Sequence, residues 1–285
     1  MTPVLWRRSA LGDVVLVGAV TKALGDCVVV TAPAWVPVVE RMVGVRRVVA
    51  WPKDADLQDL LDEAGPGRHV DLQASLRSWR TVPADARVAK RSLRRRLRLL
   101  GLPTGRPDVP HLYAEACGVE AAGPPWFDVS GPKDALALIP GASNATKQWG
   151  GWRAVAEAWD GPVLVFGGPG DEARCGSFRG LANVEIVCES GFDRTFAALG
   201  RVRVAAGGDT GLLHLAAASG ASVVGIFGPT HPDDGFFPWE RGEVVQRDLW
   251  CRPCSLHGRA SCPLGHHRCM DLPSAVVLAA IRRWW

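Results

Sequence analysis

The sequence predicts two doubly wound α/β domains, each a parallel sheet flanked by helices, joined near residue 125. Short β-branched runs alternate with helical segments along the chain, which is the pattern of parallel βαβ units. That pattern is interrupted once, by a Pro- and Gly-rich stretch over residues 121–134, and then restarts. The length, 285 residues, corresponds to about two domains of ordinary size.

In the first half, Val4–Trp6 reads as a strand, Ser9–Asp13 as a tight loop and Val14–Leu24 as a helix. Strands follow at Cys27–Thr31, Arg46–Trp51 and His69–Gln73, with helical material at Val36–Val43. After the linker, strands are expected at Ala135–Ile139, Pro162–Phe166, Val184–Val187, Val202–Ala206 and Ser222–Phe227. Helices are expected at Trp152–Trp159, Asp193–Leu199 and Gly211–Ser219, and a C-terminal helix is free to pack back on the first domain. Each strand of this half ends in a Gly-rich or polar loop, and open parallel sheets bind ligands at such ends.

Apolar residues at 47% and charged residues at 22% exclude disorder and fibrous repeats. The net charge of +4 is too small to mark a nucleic-acid binder. The whole surplus lies in residues 1–130, with 18 basic against 14 acidic groups. Asp13 interrupts the apolar start and no small-residue cleavage site follows, so no secretory signal is read. With eight unevenly placed cysteines, a reducing cytoplasmic setting is expected. Residues 210–230 carry no charged side chain and are long enough to raise a membrane span. His214, Ser219, Gly220 and Ser222 instead divide them into a buried helix, a turn and a strand.

The sharpest motif is Gly207-Gly208-Asp209-Thr210-Gly211-Leu212-Leu213-His214. A helix starting here presents free N–H groups backed by its dipole, a ready diphosphate site, with His214 one turn from Thr210. Helix capping alone would also account for Asp209 and Thr210. A second strand-end loop carries Ser143, Asn144, Thr146 and Lys147, whose ammonium suits a phosphate. Its spacing is not that of a Walker loop. Asp13 sits beside Gly12 at a strand-to-helix loop, as a general base or as a cap. Residues 87–98 hold seven basic groups and no acid, a basic helix face suited to phosphate-bearing head groups. Cys251, Cys254, Cys262 and Cys269 crowd into nineteen residues, a candidate structural zinc site or a reduced cluster without metal.

Together these motifs resemble glycosyltransferase family 9, the bacterial ADP-heptose:lipopolysaccharide heptosyltransferases. The carrying residues are Ser9-x-Leu11-Gly12-Asp13, Asp71-Leu72-Gln73-x-x-Leu76-Arg77-Ser78, and Asp209-Thr210-Gly211-Leu212-x-His214 with Ile226-Phe227-Gly228-Pro229-Thr230. Cys251-x-Pro253-Cys254 and Cys262-Pro263-Leu264-Gly265-His266-His267-x-Cys269-Met270 resemble the inner-core branch of that family. The resemblance implies a GT-B fold, two Rossmann-like domains facing a central cleft, with acceptor on residues 1–125 and nucleotide-sugar donor on 126–285. It implies inverting transfer from ADP-heptose to a Kdo- or heptose-bearing lipid A, with no cofactor required for catalysis. Asp13 would be the base. Lys147, Asp209, Thr210, Gly211 and His214 would hold the donor, with Ser143 and Thr146 as secondary phosphate contacts. Arg77, Lys90, Arg94, Arg95 and Arg98 would meet the acceptor at an anionic membrane surface. The chain is then expected to be a monomer, peripheral on the cytoplasmic face of the inner membrane, without nucleic acid. A nucleotide-sugar epimerase, a family relative using another nucleotide sugar, and a zinc-stabilised nucleic-acid binder are the alternatives.

Overall fold

The computed structural model describes residues 1–88, 97, 99, 108–234 and 241–285. The expected basic-face residues Lys90, Arg94, Arg95 and Arg98 lie outside them. The chain forms two compact units, which divide between Asp128 and Val129.

The first unit contains β1 (Pro3–Trp6), α1 (Leu11–Val15), α2 (Gly18–Leu24), β2 (Cys27–Thr31), α3 (Val36–Val39) and β3 (Val45–Ala50). It continues with α4 (Leu57–Ala64), β4 (Arg68–Asp71), α5 (Leu76–Thr81), β5 (Ala86–Arg87) and α6 (Val109–Cys117). All five strands are parallel, in the order β3-β2-β1-β4-β5. The single helix expected over Val14–Leu24 is two helices. Val14, Val15 and Val17 are β-branched and propagate a helix poorly. Gly18 also packs so closely on Trp126 that an added Cβ would lie 2.6 Å from that side chain's Cβ. Trp126 and Phe127 are buried, which ties the middle of the expected linker to this unit. Helix α4 had a readable start, because Asp56 Oδ1 accepts from the Gln58 and Asp59 amides. Helix α5 begins in a capping box between Ser75 and Ser78, the Ser hydroxyls serving amides that helix geometry leaves unpaired.

The second unit contains β6 (Ala135–Ile139), α7 (Trp152–Glu157), β7 (Val163–Gly167), α8 (Glu172–Gly176), β8 (Val184–Cys188), α9 (Gly191–Leu199) and β9 (Val202–Gly208). It ends with α10 (Gly211–Ala218), β10 (Ser222–Ile226), β11 (Gly242–Val245) and α11 (Ser274–Trp284). Its six parallel strands run β11-β10-β9-β6-β7-β8. Central strands β6 and β10 are buried along their whole length, as expected of a parallel sheet covered on both faces. The C-terminal α11 packs on this unit's own sheet and on α7, burying Val277, Ala280 and Ile281. Residues 210–230 are helix, turn and strand, as read. No helix among the described residues is long and apolar enough to cross a membrane.

Both strand orders reverse direction once. The reversal falls between β1 and β4 in the first unit and between β6 and β9 in the second. These switch points, at the carboxyl ends of the strands, are where doubly wound sheets bind ligands.

Candidate functional site

In the first unit the register pairs Trp6 with Asp71, so the loops after β1 and β4 leave the sheet side by side. The loop after β1 carries Asp13 into the first turn of α1, whose N-cap is Ala10 with no side-chain cap bond. Arg7 Nη2 lies 2.7 Å from Asp13 Oδ2, and the Asp13 side chain is 19% exposed. Arg7 Nη1 donates to the Leu72 carbonyl at 2.8 Å. Burial works against the Arg7 charge, but its interactions with Tyr113 and Asp13 outweigh it and its pKa rises. Asp71 is wholly buried and paired with Arg87 at 2.9 Å. Its other oxygen accepts from the Gln73 and Ala74 amides. Gln73 Oε1 in turn accepts from the Arg8 and Ser9 amides at 3.0 and 3.2 Å. The family-like segment at 71–73 therefore shapes the loop that presents Asp13. Arg77 is exposed on α5 and bonds the Lys53 carbonyl.

In the second unit Ile139 is paired with Gly207, which brings the loop after β6 beside the start of α10. Lys147 Nζ donates to the Asp209 carbonyl and lies 3.3 Å from Asp209 Oδ2. The approach is tight: a Cβ on Gly208 would sit 2.9 Å from the Lys147 carbonyl oxygen. Thr210 is the N-cap of α10, its hydroxyl accepting from the Leu213 amide at 3.4 Å. Gly211 is half-buried and His214 is buried one turn in. Ser143 is exposed on the loop. The arrangement joins an ammonium to a helix N-terminus, two sources of positive potential at one strand end.

The cysteine-bearing segment was a candidate either for structural zinc or for a reduced cluster without metal, and its side chains are not gathered for the first. Among the described residues, no group of three or more His, Cys, Asp or Glu side chains is placed to hold a metal ion. Cys269 is instead buried in the sheet core with Met270, while Cys251 Sγ is 3.9 Å from His266 Nε2. Cys262 lies on a turn whose backbone N–H groups, that of His267 foremost and Leu264 next, pull its pKa down. Burial pushes Cys254 up.

What this segment does hold is the loop after β6, a contact that sequence reading missed. Thr146 is buried; its hydroxyl donates to the Arg259 carbonyl at 2.9 Å and accepts from the Arg259 amide at 2.7 Å. Asn144 Nδ2 donates to the His257 carbonyl at 2.9 Å, and His267 Nε2 lies 2.9 Å from the Thr146 carbonyl. No local signal in residues 143–147 announces partners more than a hundred positions away.

Two Rossmann-like units with polar switch-point loops are an architecture that binds ligands at its strand ends. A profile described as glycosyltransferase family 9 (heptosyltransferase) matches residues 109–263, and the chain belongs to that family. By family it is a glycosyltransferase, and the expected pair of parallel-sheet α/β units is borne out. Lipooligosaccharide heptosyltransferase 2 of Campylobacter jejuni is 42% identical over 64 residues, which is 22% of this chain and 19% of that protein. The alignment thus spans about a fifth of the curated relative's length. ADP-heptose lps heptosyltransferase II of E. coli superposes with a TM-score of 0.75 at 16% identity, over 100% of this chain and 98% of that one. The E. coli heptosyltransferase WaaC, solved with ADP, gives 0.62 at 18% identity, over 81% and 89%.

Proposed function

We propose that this protein transfers heptose from ADP-heptose to the inner core of lipopolysaccharide, on a Kdo- or heptose-bearing lipid A. The observation that carries this reading is the chemistry of the two switch points: a carboxylate presented on the first unit, and an ammonium beside a helix N-terminus on the second. Transfer needs a base for the acceptor hydroxyl and positive potential for the departing diphosphate. Asp13 takes the hydroxyl proton. The acceptor oxygen attacks the heptose C1 opposite the leaving group, so the configuration inverts and ADP departs with the bonding electron pair. Lys147, the amides at Thr210 and Gly211, and His214 stabilise that diphosphate, with Ser143 at the loop surface. Asp209 neutralises Lys147 until the diphosphate replaces it. Thr146 acts by fixing the loop through Arg259. The resemblance to lipooligosaccharide heptosyltransferase 2 of C. jejuni supports heptose as the transferred sugar and a lipid-linked saccharide as the acceptor class.

Arg77, Lys90, Arg94, Arg95 and Arg98 are proposed to meet the anionic acceptor and the cytoplasmic face of the inner membrane, to which the protein attaches peripherally. The test is incubation with ADP-heptose and a Kdo-lipid A acceptor, read as ADP release and a heptose-sized mass gain on the lipid. Epimerised nucleotide sugar without transfer would make the protein an epimerase. Salt-sensitive DNA or RNA binding without nucleotide-sugar binding would replace the enzyme reading altogether.

A further inference from the structure

The mechanism above uses Asp13 and leaves Arg7 without a role, although Arg7 is the more deeply buried partner. The Arg7 side chain is 7% exposed and the Asp13 side chain 19%, so the carboxylate reaches towards solvent while its counter-ion stays beneath it. Arg7 leaves the end of β1 and bonds both Asp13, at 2.7 Å, and the Leu72 carbonyl just beyond β4, at 2.8 Å. It therefore spans the two strand ends that flank the switch point. The Tyr113 ring, 5.9 Å from the guanidinium carbon, packs near it. The neighbouring buried carboxylate, Asp71, has its own cation in Arg87. A buried guanidinium is costly to desolvate and persists where it is paired in good geometry.

We infer that Arg7 is the positioning residue for Asp13, holding its carboxylate in the orientation that meets the acceptor hydroxyl. This rests on the reading of Asp13 as the base. Its test is steady-state transfer from ADP-heptose by Arg7→Met and Arg7→Lys, each in the parent and in the Asp13→Asn background. Arg7→Met should lower kcat by roughly tenfold to a hundredfold, the scale of a misplaced catalytic group. The KM for ADP-heptose should stay unchanged. Arg7→Lys keeps the charge but loses the planar fork, and should retain about a tenth of the parent kcat. Neither substitution should lower kcat further once Asp13 is Asn, because interacting residues are not additive. Equal losses in both backgrounds would overturn the inference, since Arg7 would then act through the fold. So would a parental kcat in Arg7→Lys, the deciding variant if Arg7→Met does not fold. A parental rate in Asp13→Asn alone would remove the base reading and this inference with it. A slow Asp13→Asn beside parental Arg7 variants would remove only the inference.

Discussion

Lys147 is one of five lysines in a chain with 28 arginines, and it sits where a helix N-terminus is already positive. That placement is unfavourable without an anion, and Asp209 supplies one from 3.3 Å. A diphosphate would offer the same neutralisation with more charge. Lys147→Ala should therefore weaken ADP binding by about tenfold or more, since a hydrogen bond to a charged group contributes roughly 1.5–3 kcal/mol. Calorimetric titration reads this directly, and unaltered affinity would leave Lys147 as an anchor for α10 only. At Asp13 the expectation is the converse. Asp13→Asn should keep ADP affinity and lower turnover by about 10²–10⁴, the usual contribution of a positioned base. A parent-like rate would reduce Asp13 to the partner of Arg7.

Among the elements, the segment over residues 251–269 is a clasp on the loop after β6. Replacing the Thr146 hydroxyl with a methyl, Thr146→Val, leaves the part-buried Arg259 amide without its acceptor. The cost should be about 1–3 kcal/mol of stability, with ADP affinity falling in parallel. A lower melting temperature with parental ADP affinity would separate the clasp from donor binding. The same segment contains the thiol most readily ionised. Backbone N–H groups lower the Cys262 pKa, whereas burial pushes Cys27 and Cys117 up to about 12. Thiolate is the reacting form, so a lowered pKa means more of it at neutral pH and a raised one almost none. Limited alkylation at pH 7 followed by peptide mass analysis should find Cys262 modified well before Cys27 or Cys117. Labelling of the buried pair first would contradict this order.

For the whole molecule, the prediction concerns where the acceptor is met. The first half carries the entire charge surplus, and basic residues near an anionic surface contribute about 1 kcal/mol each, screened over roughly 8–10 Å. Attachment to phosphatidylserine-containing vesicles should therefore be reversed by salt. Arg94, Arg95 and Arg98 changed together to Glu should reduce it, and lipid-acceptor activity with it, while ADP binding stays intact. Vesicle binding equal to the parent's would move acceptor capture elsewhere on the protein.

The alternation of β-branched runs and helices was sufficient to predict two parallel α/β units, because strands buried on both faces must be continuously apolar. The loops at 9–13, 140–149 and 207–214 were legible for a related reason: Gly and polar residues gather where such strands end. Helices α4 and α5 were missed although Asp56 and Ser75 cap them, since a cap is a weak signal without a long apolar period. Other features had no local signature. The packing of Trp126 on Gly18 joins positions more than a hundred apart, and the bond from Arg7 to the Leu72 carbonyl depends on β4 lying beside β1. The cysteines suggested metal ligands by their crowding, yet Cys269 turns into the core, and closeness along a chain does not specify direction in space. Sequence alone determined which residue types stand at the strand ends. Tertiary structure decided which of them meet, because strand order and long-range hydrogen bonds, not adjacency in the chain, bring Lys147 to Asp209 and Thr146 to Arg259.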